Sequence, residues 1–174
     1  MKETLQVLNQ MVADGVIDGY VIGGAIAATY YLEPIDTNDL DVFFHVAVSP
    51  SGLITLSPLY EYLHKLGYEP QDETIEIVGW PVQFLPIFNP LLEEAYEQAE
   101  AITFHGVSTR IMQVEHLVAI MVQTGRPRDY ARILRFLEAE AVDVAALAPI
   151  LAKHGLSERW QEFLRRFDIK LQKE

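Results

Sequence analysis

Tyr20 to Val46, YVIGGAIAATYYLEPIDTNDLDVFFHV, is the stretch whose reading decides the fold. A short apolar run, Tyr20–Ile22, ends in Gly23-Gly24, and an alanine-rich helix over Ala25–Leu32 follows. After a loop from Pro34 to Asn38, a second apolar run over Asp39–Val46 carries Asp39 and Asp41 two residues apart. Side chains two apart on a strand leave the same face, so both carboxylates can converge on one cation. Glycine lets backbone N–H groups approach a bound group closely, and a helix start just beyond it favours an anion. The residues alone therefore point to a divalent cation beside a phosphate. Plainer readings stand next to this one: Asp39 closes the Thr-Asn-Asp turn, and the diglycine serves tight strand–helix packing. Two other phosphate-binding patterns are excluded. Gly23, Gly24, Ala25 and Ala28 lack the GxGxxG spacing, and no Gly-Lys-Ser/Thr follows.

Outward from that core, Leu5, Leu8, Met11 and Val12 recur at helical spacing, and Asp14-Gly15 ends their helix. Pro50 to Gly52 breaks the chain ahead of an amphipathic helix marked by Leu56, Leu59, Tyr60, Leu63 and Leu66. Thr74–Val78 and Val82–Leu85 read as a hairpin around Gly79-Trp80-Pro81. Asn89 caps a further helix with Pro90 at its first position, and Glu93, Glu94, Glu97 and Glu100 are expected on its outer face. Two extended pieces fall within Ile102–Arg110. Beyond them the spacing predicts only helices: Val114–Thr124, Arg128–Ala139, Val144–His154 and Glu158–Leu171. The expected architecture is α/β, a small mixed sheet flanked by helices over residues 1–110, with a helical subdomain over 111–174 packed on it.

Half of the 174 residues are hydrophobic, enough for a real core. There is no cysteine, so thiolate metal sites and disulfides are excluded, and a reducing cytoplasm suits the chain. The opening MKETLQVLNQ does not read as a signal peptide, and no apolar run approaches the roughly 20 residues of a membrane helix. The net charge of −12 is unevenly spread: residues 1–109 sum to −14 and residues 110–174 to +2. So negative a front repels a long nucleic acid. Countercharge for a phosphate chain must come from metal and from the C-terminal third. There Arg128, Arg132 and Arg135 share a helix face with Arg126 just ahead. Salt bridges to the acidic front are an equal reading of that stripe. Asp129, in the first turn, serves the helix N-terminus or orients Arg126. The five histidines show no HxxxH or HExxH spacing, which argues against a histidine metal site. Tyr30, Tyr31 and Trp80 can stack on a base, with core or rim packing as the plainer role.

In order and spacing these residues resemble the minimal nucleotidyltransferases of the DNA polymerase beta-like superfamily, especially the abortive-infection toxin-type branch. The resemblance rests on Gly23-Gly24, on Asp39-Leu40-Asp41, and on QVEHLVAIMVQTGRPRDYARI with Glu115, Leu117, Gly125, Arg126, Arg128 and Asp129; it spans about residues 15–135. It implies that Asp39 and Asp41 hold Mg²⁺ or Mn²⁺, and that Gly23 and Gly24 hold phosphate through backbone N–H groups. Arg126 and Arg128 would supply countercharge while NMP moves from an NTP to an acceptor hydroxyl of unspecified identity. The branch also implies an antitoxin-like protein partner. Two positions depart from the pattern. Gln83, in Val82-Gln83-Phe84-Leu85-Pro86, stands where the third carboxylate and general base is expected, and a neutral amide does not accept that proton. Met121 stands where relatives often carry lysine. Glu76, on the neighbouring strand, is the candidate stand-in for the missing acid. The alternative is a non-catalytic nucleotide-binding or protein-interaction domain that retains the fold.

Overall fold

An amphipathic helix, α1 (Lys2–Ala13), opens the chain and buries Leu5, Leu8 and Met11. A strand of two residues, β1 (Val21–Ile22), runs into α2 (Gly24–Tyr31), and β2 (Leu40–Phe44) follows. Then come α3 (Ser57–Lys65), β3 (Pro70–Gln71), β4 (Thr74–Ile77), β5 (Trp80–Pro86), α4 (Pro90–Glu97), β6 (Glu100–Phe104) and β7 (Val107–Ile111). In this computed structural model the described residues are 1–32, 37, 39–46 and 55–171; the loop expected at Pro34 to Asn38 lies largely outside them, and the break at Pro50 to Gly52 entirely so. Residues 1–112 and 113–174 form two compact units.

The first unit holds a seven-stranded mixed sheet in the order β3-β4-β5-β2-β1-β7-β6. β2 runs parallel to β5 and β1 parallel to β7, while the remaining pairs are antiparallel. Strand alternation gives the sheet two unlike faces. Leu40, Val42, Phe44, Ile75, Ile77, Val82 and Phe84 are buried together on one. Asp41, Glu76 and Gln83 fall on the other, because Asp41 pairs with Gln83, and Glu76 with Pro81 two residues before Gln83. α1 belongs to the apolar face, where Thr4 Oγ1 donates to the Ile77 carbonyl at 3.1 Å.

Several boundaries differ from expectation for local reasons. Val78 and Gly79 both take positive φ, 50° and 76°, which makes a two-residue hairpin turn. Trp80 and Pro81 therefore join β5 instead of forming the bend. β3 was not expected; its proline sits on the outermost strand, the place where a missing N–H is tolerated. Glu100 begins β6 and so does not share the outer face of α4 with Glu93, Glu94 and Glu97. Asn89 caps α4 as expected, its side chain accepting from Leu92 N–H at 2.9 Å.

The second unit is helical: α5 (Val114–Thr124), α6 (Pro127–Glu138), α7 (Val144–Lys153) and α8 (Ser157–Arg166), with α5 packed against the other three. Gly125, at φ 66°, ends α5 in the left-handed conformation that a side chain resists. Met121 is buried in this helix, so its methyl thioether fills core where a lysine would need solvent. Among the described residues, no helix is long and apolar enough to cross a membrane.

Candidate active site

β1 and β2 bring the two halves of the Tyr20–Val46 stretch into register. Val21 lies opposite Phe43 and Ile22 opposite Val42, and the Gly23 N–H donates to the Asp41 carbonyl at 3.0 Å. Gly23 then caps α2 from an extended conformation, and Gly24 enters the helix at φ 58°. A Cβ on Gly24 would collide with Oδ2 of Asp41, and one on Gly23 would meet the Phe43 ring and Met112 Sδ. The diglycine therefore clears room for what β2 presents beneath it. The Asp41 carboxylate lies against the first residue of α2, at the end of the helix that favours negative charge.

This geometry revises one expectation. The Gly23 N–H is already committed to the Asp41 backbone and does not reach a phosphate. What the helix start offers an anion is the N–H set of Gly24 and the first turn, since a glycine cap brings no side chain to occupy it.

Asp39 precedes β2 by one residue, and its carboxylate accepts from Thr37 Oγ1 at 3.2 Å. Asp39 and Asp41 are both half-buried. Gln83 neighbours Asp41 across the parallel β2–β5 pair, so their Cα atoms stand about 5 Å apart on one face of the sheet. Its Nε2 donates to Glu73 Oε2 at 3.2 Å. Glu76 shares the face but lies one strand further out, its Cα about 12 Å from that of Asp41 by strand spacing and rise. Among the described residues no group of three His, Cys, Asp or Glu side chains is placed to hold one ion. Glu76 thus does not complete a metal-holding group with Asp39 and Asp41 among the described residues.

Asp39 and Asp41 carry the donor type, carboxylate oxygen, that a magnesium- or manganese-sized cation takes. Mg²⁺ keeps several waters and is commonly held by one or two carboxylates together with substrate phosphates. The donors present suit such a shared site, and a site made wholly of protein would need more of them.

Other expected residues have different work. His45 Nε2 bonds to the Glu93 carboxylate at 2.9 Å and its ring meets Tyr96 edge-on, which ties it to α4. Tyr31 donates to the Met112 carbonyl at 3.1 Å. Tyr30 and Trp80 line an apolar cavity of about 330 Å³ on the face of Ile22, away from Asp41. In the second unit, Arg126 caps α6 and reaches Asp129 through Nε at 2.7 Å and Nη2 at 3.2 Å; Thr124 Oγ1 donates to the same carboxylate at 2.6 Å. Burial of Asp129 works against its charge, yet the hydrogen bonds from Arg126 and Thr124 and the guanidinium charge outweigh it, holding the carboxyl below its ordinary value. Asp129 both serves the helix N-terminus and orients Arg126. Arg128 lies exposed in the first turn of α6.

No protein-family model and no curated protein matches the chain. Solved structures do. An antigenic nucleotidyltransferase-like protein from Paracoccidioides brasiliensis superposes with a TM-score of 0.53 at 17% identity, over 92% of this chain and 93% of that one. The fold is that of nucleotidyltransferase-like proteins. The antibiotic-resistance factor ANT(2'')-Ia, whose solution structure shows substrate-regulated conformational dynamics, superposes with a TM-score of 0.50 at 17% identity, over 91% of this chain and 95% of that one.

Sequence reasoning missed Glu73. It sits beside Asp72 in the turn between β3 and β4, where acids read as solvated turn residues; only the pairing of β4 with β5 brings it to Gln83.

Proposed function

We propose that the chain is a metal-dependent nucleotidyltransferase that moves NMP from an NTP to an acceptor hydroxyl. The observation that carries this reading is the Asp41 carboxylate seated against Gly24, where any side chain would collide with it. Asp39 and Asp41 would hold Mg²⁺ or Mn²⁺ jointly with the triphosphate. When bound, that cation neutralises charge developing on the transferred phosphoryl group. The N–H groups of Gly24 and the first turn of α2 would bind phosphate oxygen. The acceptor oxygen bonds to the α-phosphorus and pyrophosphate leaves. The acceptor's proton passes to water, because the Gln83 amide does not take it. A site short of its base is therefore a slow one.

The charge of −14 over residues 1–109 favours a small-molecule or protein hydroxyl over a long nucleic acid as acceptor. The abortive-infection toxin-type branch and an antitoxin-like partner belong to the same reading, supported by Gly125-Arg126 and Asp129 following the Asp39-Leu40-Asp41 strand.

One observation favours a second reading. Gln83 stands beside Asp41 with its amide tied to Glu73, an arrangement that suits nucleotide binding without turnover. Incubation with α-labelled NTPs and Mg²⁺ or Mn²⁺, with small-molecule and protein acceptors, separates the two. Label transferred by the wild-type chain and lost in Asp41→Asn supports the transferase. Nucleotide binding that needs Asp41 but yields no transfer supports the silent domain. If Asp41→Asn leaves metal-dependent nucleotide binding unchanged, both readings of this site fall.

A further inference from the structure

Gln83 is held, and the group that holds it fixes which way its amide faces. Glu73 Oε2 lies 3.2 Å from Nε2. A carboxylate only accepts hydrogen bonds, so the end of the amide turned to Glu73 must be its NH₂ group. The carbonyl oxygen, Oε1, is the end left to face away from Glu73. On the opposite side of β5 from β4 runs β2, with Asp41 directly paired to Gln83. We infer that Glu73 is a positioning residue, one that keeps the Gln83 carbonyl oxygen available beside Asp39 and Asp41 as a neutral third oxygen donor for a divalent cation. This inference rests on the metal site proposed above.

The chemistry is consistent with the charges present. Carboxylates and amide carbonyls are both hard-oxygen ligands, so Gln83 fits the donor class while lowering the site's charge by one relative to an acid. A negative charge against the NH₂ end polarises the amide and strengthens its oxygen as a donor. Partners that orient a ligand in this way alter metal affinity without touching the metal. Glu73 itself stays outside: no three-carboxylate group forms among the described residues. Glu76 has a different place, opposite Pro81.

The test is Mn²⁺ binding to the full chain, read as free Mn²⁺ by electron paramagnetic resonance, which needs no turnover. The variants are Asp41→Asn, Glu73→Gln, Gln83→Ala and the Glu73→Gln/Gln83→Ala double. Glu73 is exposed and its glutamine isosteric, so folding is not at stake. Positioning predicts that Glu73→Gln weakens Mn²⁺ binding about tenfold, the lower end for outer-shell partners. It also predicts that the same substitution costs nothing further once Gln83 is alanine. An equal loss in both backgrounds makes Glu73 a nearby charge and overturns the inference, as does no loss in either. Failure of the wild-type chain to bind Mn²⁺, or unchanged binding by Asp41→Asn, overturns the metal site itself. Loss in Asp41→Asn beside a silent Glu73→Gln overturns only the role of Glu73.

Discussion

Asp41 and Asp129 are both aspartates near the start of a helix, and the chain treats them in opposite ways. Asp129, in the second unit, is 1% exposed and receives Thr124 Oγ1, the Arg126 backbone N–H and two guanidinium N–H groups. Its charge is consumed by the fold. Asp41, in the first unit, is half-buried; its carboxylate rests on a glycine, and its strand neighbour is a neutral amide. The comparison sets a carboxylate that serves structure beside the one proposed above to hold a cation. The first is 1% exposed beneath Thr124 and Arg126, whereas the second is half-buried and lies against a glycine at a helix start.

Substitutions break or sharpen this contrast. The largest effect is expected from Asp129→Ala, which strips several charge-assisted hydrogen bonds from a buried site and should cost about 3 kcal/mol of stability. Urea denaturation followed by circular dichroism measures it, and a cost near zero would mean that Asp129 is not the keystone of the α5–α6 junction. Gly24→Ala comes next. The left-handed conformation and the clash with Asp41 together should cost about 1–2 kcal/mol, and Mn²⁺ binding should fall as the carboxylate is pushed aside. Unchanged Mn²⁺ affinity in that variant would separate the glycine from the acid and weaken the contrast. Smallest is the pH effect. Because the Asp129 carboxyl is held below its ordinary value when folded, its contribution is full above about pH 4, the unfolded carboxylate range, and fades as pH falls through the lowered value. Thermal midpoints between pH 5 and pH 3 should therefore drop less in Asp129→Ala than in the wild-type chain.

Much of this contrast was legible in the chain itself. Gly23-Gly24 ahead of Asp39-Leu40-Asp41 announced the turn, the helix and the strand, because apolar alternation and glycine are local signals. Asn89-Pro90 and Gly125 marked helix ends for the same reason. What stayed hidden depended on pairing between distant segments. The Gly23 N–H looked available until β1 was set antiparallel to β2, which spends it on Asp41. Glu76 drew the reading and Glu73 none, until register put Glu76 opposite Pro81 and brought Glu73 to Gln83. Asp129 was read in the right role because its partner lies only three residues away.

β1 is two residues long, yet it sits between β2 and β7 in the middle of a seven-stranded sheet. Four strands lie on one flank and a two-stranded hairpin on the other, joined by this single stitch and by bonds such as Met112 N–H to the Ile22 carbonyl at 2.9 Å. α1 spans the same seam, Thr4 Oγ1 donating to the Ile77 carbonyl on one flank and Asn9 Nδ2 to the Ser108 carbonyl on the other. Since Gly23 and Gly24 follow directly from that stitch, the contact of Gly24 with the Asp41 carboxylate sits where the two flanks are sewn together.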